Sequence, residues 1–88
     1  MYNETMDEKI QKYLVILLNV RNKVEKKHRV EMYKLYDSLS TCYNEYQKIK
    51  YSNNKYKNER LKVLESQMDS FIALIDNKLM MLILQFTK

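Results

Sequence analysis

The chain runs for 88 residues without one glycine or one proline. At average usage, roughly ten would be expected in this length. Glycine supplies left-handed turns and helix C-caps, and proline interrupts helices. A chain lacking both has few sharp corners and nothing that forces a helix to stop. Its architecture must be built from long helices, joined by turns made of other residues.

The apolar spacing agrees. Three stripes are legible: Met6, Ile10, Tyr13, Leu17, Val20, Val24; then Met32, Leu35, Leu39, Cys42, Tyr46, Ile49; then Leu61, Leu64, Met68, Phe71, Ile75, Leu79, Leu82, Phe86. Steps of three and four residues mark one face of a helix, and none of the stripes alternates as a strand would. Within the third stripe, Leu61 to Leu79 and Leu64 to Leu82 are each 18 residues apart, five turns at about 3.6 residues per turn. That period belongs to a straight bundle helix more than to a supercoiled zipper.

The stripes are interrupted twice. Lys50-Tyr51-Ser52-Asn53-Asn54-Lys55 is the stronger interruption, because Ser and Asn compete for backbone hydrogen bonds and tolerate turn conformations. Asn53 or Asn54 is the expected site of a left-handed residue. The other interruption, Glu25 to Glu31, is a charged run with no breaker. The fold expected is therefore all-α, a single helical domain over 1–88. One form is an antiparallel helical hairpin, with helices over about 4–50 and 56–87 and a turn at about 51–55. The other is a three-helix bundle with an additional break near 25–30. The hairpin is preferred because residues 25–31 hold nothing that favours a turn. In the hairpin, residue i faces roughly residue 106 − i, which pairs Leu82 with Val24 and Phe86 with Val20.

At the start of the chain, Asn3 or Thr5 is the expected N-cap. Glu8 stands three residues after Thr5, as a capping box requires, and Asp7 and Glu8 suit the positive end of the helix dipole. These acids thus have a structural explanation and need no catalytic one.

Two segments are apolar on every side of a helix: Tyr13 to Leu18 and Leu79 to Leu84. A helix that is hydrophobic all round is buried all round, and two or three helices do not surround both segments. The residues expected to meet a partner are Leu14, Ile16, Leu18, Met80, Met81, Ile83 and Leu84. A small chain with a limited core adds disulfides, a metal or oligomerisation. With one cysteine, only the last is open, so an oligomer or a protein partner is expected.

Charge is clustered. Residues 21–34 hold Arg21, Lys23, Lys26, Lys27, Arg29 and Lys34 against two acids, and residues 48–62 hold Lys48, Lys50, Lys55, Lys57, Arg60 and Lys62 against Glu59 alone. Tyr51 and Tyr56 lie within the second cluster, a mixture of cation and aromatic suited to nucleic acid or to an acidic partner. Lysine outnumbers arginine, which weakens base readout and favours phosphate contact. Tyr33, Tyr36, Tyr43 and Tyr46 fall along one helix, where they serve an interface or a broad core face.

Nothing in the sequence calls for an enzyme, a metal or a cofactor. A glycine-rich phosphate loop is impossible, no His–Glu metal spacing occurs, and His28 stands alone among cations. Cys42 sits within an apolar seam as a small hydrophobe. Its solitude and the lack of a secretory signal fit an intracellular setting. The run Tyr13–Leu18 is far short of the ~20 residues that span a bilayer, and Phe71–Phe86 is cut by Asp76, Asn77 and Lys78. Abundant Lys, Asn and Tyr match an AT-rich coding source such as a virus, phage or low-GC bacterium. The function expected is that of a non-enzymatic, self-associating adaptor or structural subunit, with a small nucleic-acid-binding protein as the alternative.

Overall fold

A computed structural model of the protein describes residues 4–53 and 55–86, with side chains through Leu84. Within them lie three helices: α1 (Met6–Arg21), α2 (Lys26–Lys50) and α3 (Lys57–Phe86). No strand occurs among the described residues. The chain is all-α as its spacing predicts, and of the two architectures the three-helix one forms. The continuous helix of the hairpin does not.

The corner that separates them falls at Asn22–Glu25, just ahead of the charged run. Lys23 N–H bonds the Val20 carbonyl at 2.9 Å, tightening the last turn of α1. Val24 then drops into the core, and Glu25 is extended at φ −61°, ψ 152° before α2 begins. Arg29 Nε donates to the Val24 carbonyl at 3.2 Å and pins the corner from the other side. The residues that turn the chain are thus an asparagine and a buried valine. Lys26 to Glu31 continue as helix because Lys, Arg and Glu are good helix formers.

The second corner follows the sequence more closely. Ser52 offers both its N–H and its Oγ to the Ile49 carbonyl, at 3.1 and 2.7 Å, closing the end of α2. No described residue has positive φ, so Asn53 does not take the left-handed state. Asn54, the other residue expected to do so, lies outside the described residues. At the N-terminus Thr5 is the cap: its Oγ1 accepts from Glu8 N–H at 3.1 Å.

Long-range polar pairs set the directions. Lys9 meets Asp69 at 3.4 Å and Tyr13 meets Asp76 at 2.8 Å, so α1 and α3 run parallel. Asp7–Lys50 joins the start of α1 to the end of α2, while Glu31–Lys78 and Glu45–Arg60 join α2 to α3 in the opposite sense. Cys42 Sγ lies 3.8 Å from the Leu64 carbonyl, the pairing that the hairpin register predicts for these two helices.

The core is Ile10 and Leu17 of α1, Val24 of the corner, Met32, Leu39, Cys42 and Tyr46 of α2, and Leu64, Met68, Ile72, Ile75 and Leu82 of α3. Every one but Ile72 belongs to a predicted stripe. Ile72 joins because α3 packs against both other helices, which widens its buried face beyond a single row. The molecule measures 52 × 33 × 17 Å along its principal axes. In so thin a body no helix is enclosed on all sides.

Candidate docking surface

The end of α3 carries the largest group of uncovered apolar side chains. Leu79 and Leu82 of this segment turn inward, Leu82 being buried and Leu79 partly so. Between them Met80, Met81, Ile83 and Leu84 face outward, Met80 at 63% and Ile83 at 61% exposure. The cause is the all-round apolarity read from the sequence: two neighbours cover two sides of α3, and no third helix lies among the described residues to cover the rest.

The predicted residues of α1 behave differently from one another. Leu14 packs partly against the core, Ile16 is half-buried, and Leu18 stands at the margin of exposure. The first greasy segment is therefore largely covered by the protein's own helices, because α1 is short and lies against both partners. Val15, absent from the expected set, is exposed instead.

Ile16 and Ile83 come together across a groove between α1 and α3. Its walls are Ile16, Val20, Lys23, Val24, Leu79, Leu82 and Ile83, around a volume of about 320 Å³. Val24 and Leu82, paired in the expected register, both line it. The side chain of Phe86, expected to meet Val20, lies outside the described residues. On the other flank of α3 a second groove of about 380 Å³ is bounded by Leu35, Leu74, Met81 and the polar Glu31, Lys34, Asn77 and Lys78. Lys78 is only 14% exposed; it pairs with Glu31 and stands 3.2 Å from His28 Nδ1. Its ammonium, by hydrogen bond and charge, holds the Glu31 carboxyl below the usual range. Leu74 and Lys78 were not expected here. The sequence signal for Leu74 was its place one residue off the Phe71–Ile75 stripe.

The basic cluster at 48–62 is partly neutralised from within. Lys50 Nζ lies 2.8 Å from Asp7 Oδ2, and Arg60 bonds Glu45 at 2.6 Å. Asp7 also accepts from Tyr43 Oη at 3.0 Å and from Gln47 Nε2 at 2.7 Å. Lys50, first, and then these two partners hold the Asp7 carboxyl below its ordinary value against the opposing effect of burial. Lys48, Lys55 and Lys62 are exposed and Lys57 is half-buried, with the Lys55 ammonium 5.9 Å from the Tyr56 ring centre. Two of the six expected contact cations thus serve the fold.

The four tyrosines of α2 also divide. Tyr46 is buried, Tyr36 and Tyr43 pack partly against the core, and Tyr33 is 58% exposed. Tyr33 looks into a third groove, of about 640 Å³, bounded by Arg21 and Asn22 of the first corner and by Lys26, Arg29, Val30, Lys34 and Asp37 of α2. Burial raises the Cys42 thiol above its ordinary value, with a further contribution from Glu45. Among the described residues no group of three or more His, Cys, Asp or Glu is placed to hold a metal ion. No described helix is long and apolar enough to cross a membrane. No protein-family model, curated protein or solved structure matches the chain.

Proposed function

We propose that the protein is a helical interaction subunit that associates with a second copy of itself through the end of α3, and so acts as an adaptor or structural component of a larger complex. The observation that carries this reading is the outward pair Met80 and Ile83, one helical turn apart, with Ile83 forming a wall of the apolar α1–α3 groove. Contiguous apolar surface of this kind marks contact sites on soluble proteins, and methionine adapts to irregular partner surfaces.

A second copy is favoured over an unrelated partner by shape. A ridge (Met80, Ile83) borders a groove (Ile16, Leu79, Leu82) on the same face. A two-fold axis lets the ridge of each copy enter the groove of the other, which is the self-complementarity a symmetric dimer requires. Sedimentation velocity over the micromolar range tests this. The wild-type chain is expected to sediment as a dimer or larger species, and Ile83→Lys to shift it to monomer with unchanged helicity. A wild-type chain that stays monomeric, and whose solubility Ile83→Lys leaves unaltered, overturns the reading.

A further inference from the structure

The groove at the first corner has a character of its own. Along α2, Lys26, Arg29, Val30, Tyr33, Lys34 and Asp37 recur at helical spacing and share one face, and Arg21 closes the groove from the end of α1. Four cations surround it against the single carboxylate of Asp37. Arg21, Lys26 and Lys34 take part in no ion pair among the described residues, in contrast to Lys50 and Arg60 in the other basic cluster. Arg29 is committed to the Val24 carbonyl through Nε, which fixes the side chain at the floor of the corner. Tyr33 and Val30, at 58% and 57% exposure, present apolar faces between these charges.

We infer that this groove binds a single-stranded nucleic acid, its phosphates on Arg21, Lys26 and Lys34 and a base stacked on Tyr33. A positive groove with an exposed aromatic is the arrangement by which single strands are held without sequence preference. From Lys26 to Lys34 the helix rises ~12 Å, enough for the cations to meet more than one phosphate of a strand. An acidic protein segment satisfies the cations equally but gives no role to an exposed tyrosine among them, so the nucleic acid is the occupant the side chains favour. The site uses neither Met80, Ile83 nor the α1–α3 groove and does not depend on self-association, although its Lys34 also borders the groove that holds Met81.

The test is fluorescence anisotropy of a labelled oligothymidylate titrated with the full chain at about 50 and about 200 mM salt. Expected is binding that weakens steeply between the two salt concentrations. Arg21→Glu with Lys26→Glu lowers affinity at least about tenfold and reduces the salt slope by about 1–2. Tyr33→Ala lowers it about tenfold while Tyr33→Phe retains it, because either ring stacks. Lys55→Glu with Lys57→Glu leaves binding within about twofold, since those lysines lie outside the groove. Far-UV circular dichroism checks that each variant is folded, and Lys26→Glu with Lys34→Glu replaces the first pair if Arg21 proves necessary for the corner. The inference is overturned by any of three results: no binding at the lower salt; loss of binding on reversal of Lys55 and Lys57 but not of the groove; or displacement of the oligonucleotide by polyglutamate with no effect of Tyr33→Ala. The last outcome identifies an acidic protein segment as the occupant.

Discussion

Tyr13 Oη donates to the Asp76 carboxylate, 2.8 Å from Oδ1 and 3.0 Å from Oδ2, and so links α1 to α3 one turn ahead of Ile16 and Leu79, which line their shared groove. Tyr13 belongs to the apolar stripe of α1, yet its polar tip crosses to an acid that the sequence showed only as an interruption of the greasy segment in α3. The contact fixes the parallel alignment on which the α1–α3 groove depends.

Tyr13→Phe removes this link while keeping the ring. The expected loss is about 1 kcal/mol, the net worth of one hydrogen bond, read as a lower urea midpoint with an unchanged slope. Burial first, and then Asp76, raise the Tyr13 phenol above its ordinary value. Because the protonated form is the one favoured by folding, its contribution is whole below pH ~10 and is lost as pH rises through the folded-state value. The alkaline limb of the stability profile is expected to become shallower in Tyr13→Phe.

Asp7 makes the opposite prediction at acid pH. Its carboxyl is lowered chiefly by Lys50, with Tyr43 and Gln47 assisting. A carboxyl lowered on folding contributes stability above its unfolded value, near pH 4, and loses it as pH falls further. Asp7→Asn is expected to cost about 1 kcal/mol at neutral pH, a value kept small by the partial exposure of the pair. In the variant the fall in stability below about pH 4 flattens, which urea titration across the acid range measures.

Leu39 is fully enclosed on α2, the helix against which both others pack. Leu39→Ala is expected to cost about 2–5 kcal/mol through lost burial and the cavity left behind. Leu74→Ala, at an exposed position of α3, is expected to cost less than about 1 kcal/mol. Equal losses at the two sites, by thermal or urea unfolding, contradict the placement of the core.

Cys42 is buried against Leu64 and Gln67, with its thiol raised by burial. Thiolate is the reactive form, so a disulfide reagent at mildly alkaline pH is expected to label the folded chain slowly and the urea-unfolded chain at the rate of a free thiol. Rapid labelling under native conditions contradicts the buried placement.

Much of the fold was legible because helical spacing is a local property. The stripes, the Thr5 cap and the corner at Ser52 all follow from residues close in sequence. The position of the first corner was not legible, since a charged run without a breaker reads as helix whether or not the chain has already turned. That corner rests on Val24, which is buried and meets a groove shared with Leu79 and Leu82, more than fifty residues away. The same holds for the candidate surfaces. Ile83 and Leu14 look alike in sequence, yet one is exposed and the other packs partly against the core, and Lys50 and Lys55 look alike in the basic cluster.

From its residues alone, the chain was determined to be helical, to bury one face of each helix and to carry more apolar surface at the end of its last helix than a single face can hide. Only the tertiary structure decided that α2 and α3 cover much of the greasy segment of α1, that Asp7 and Glu45 engage Lys50 and Arg60, and that Tyr33 stands exposed among cations at the first corner. The physical reason is that spacing defines which side chains share a face, while the packing of three helices in a thin body decides which faces meet water.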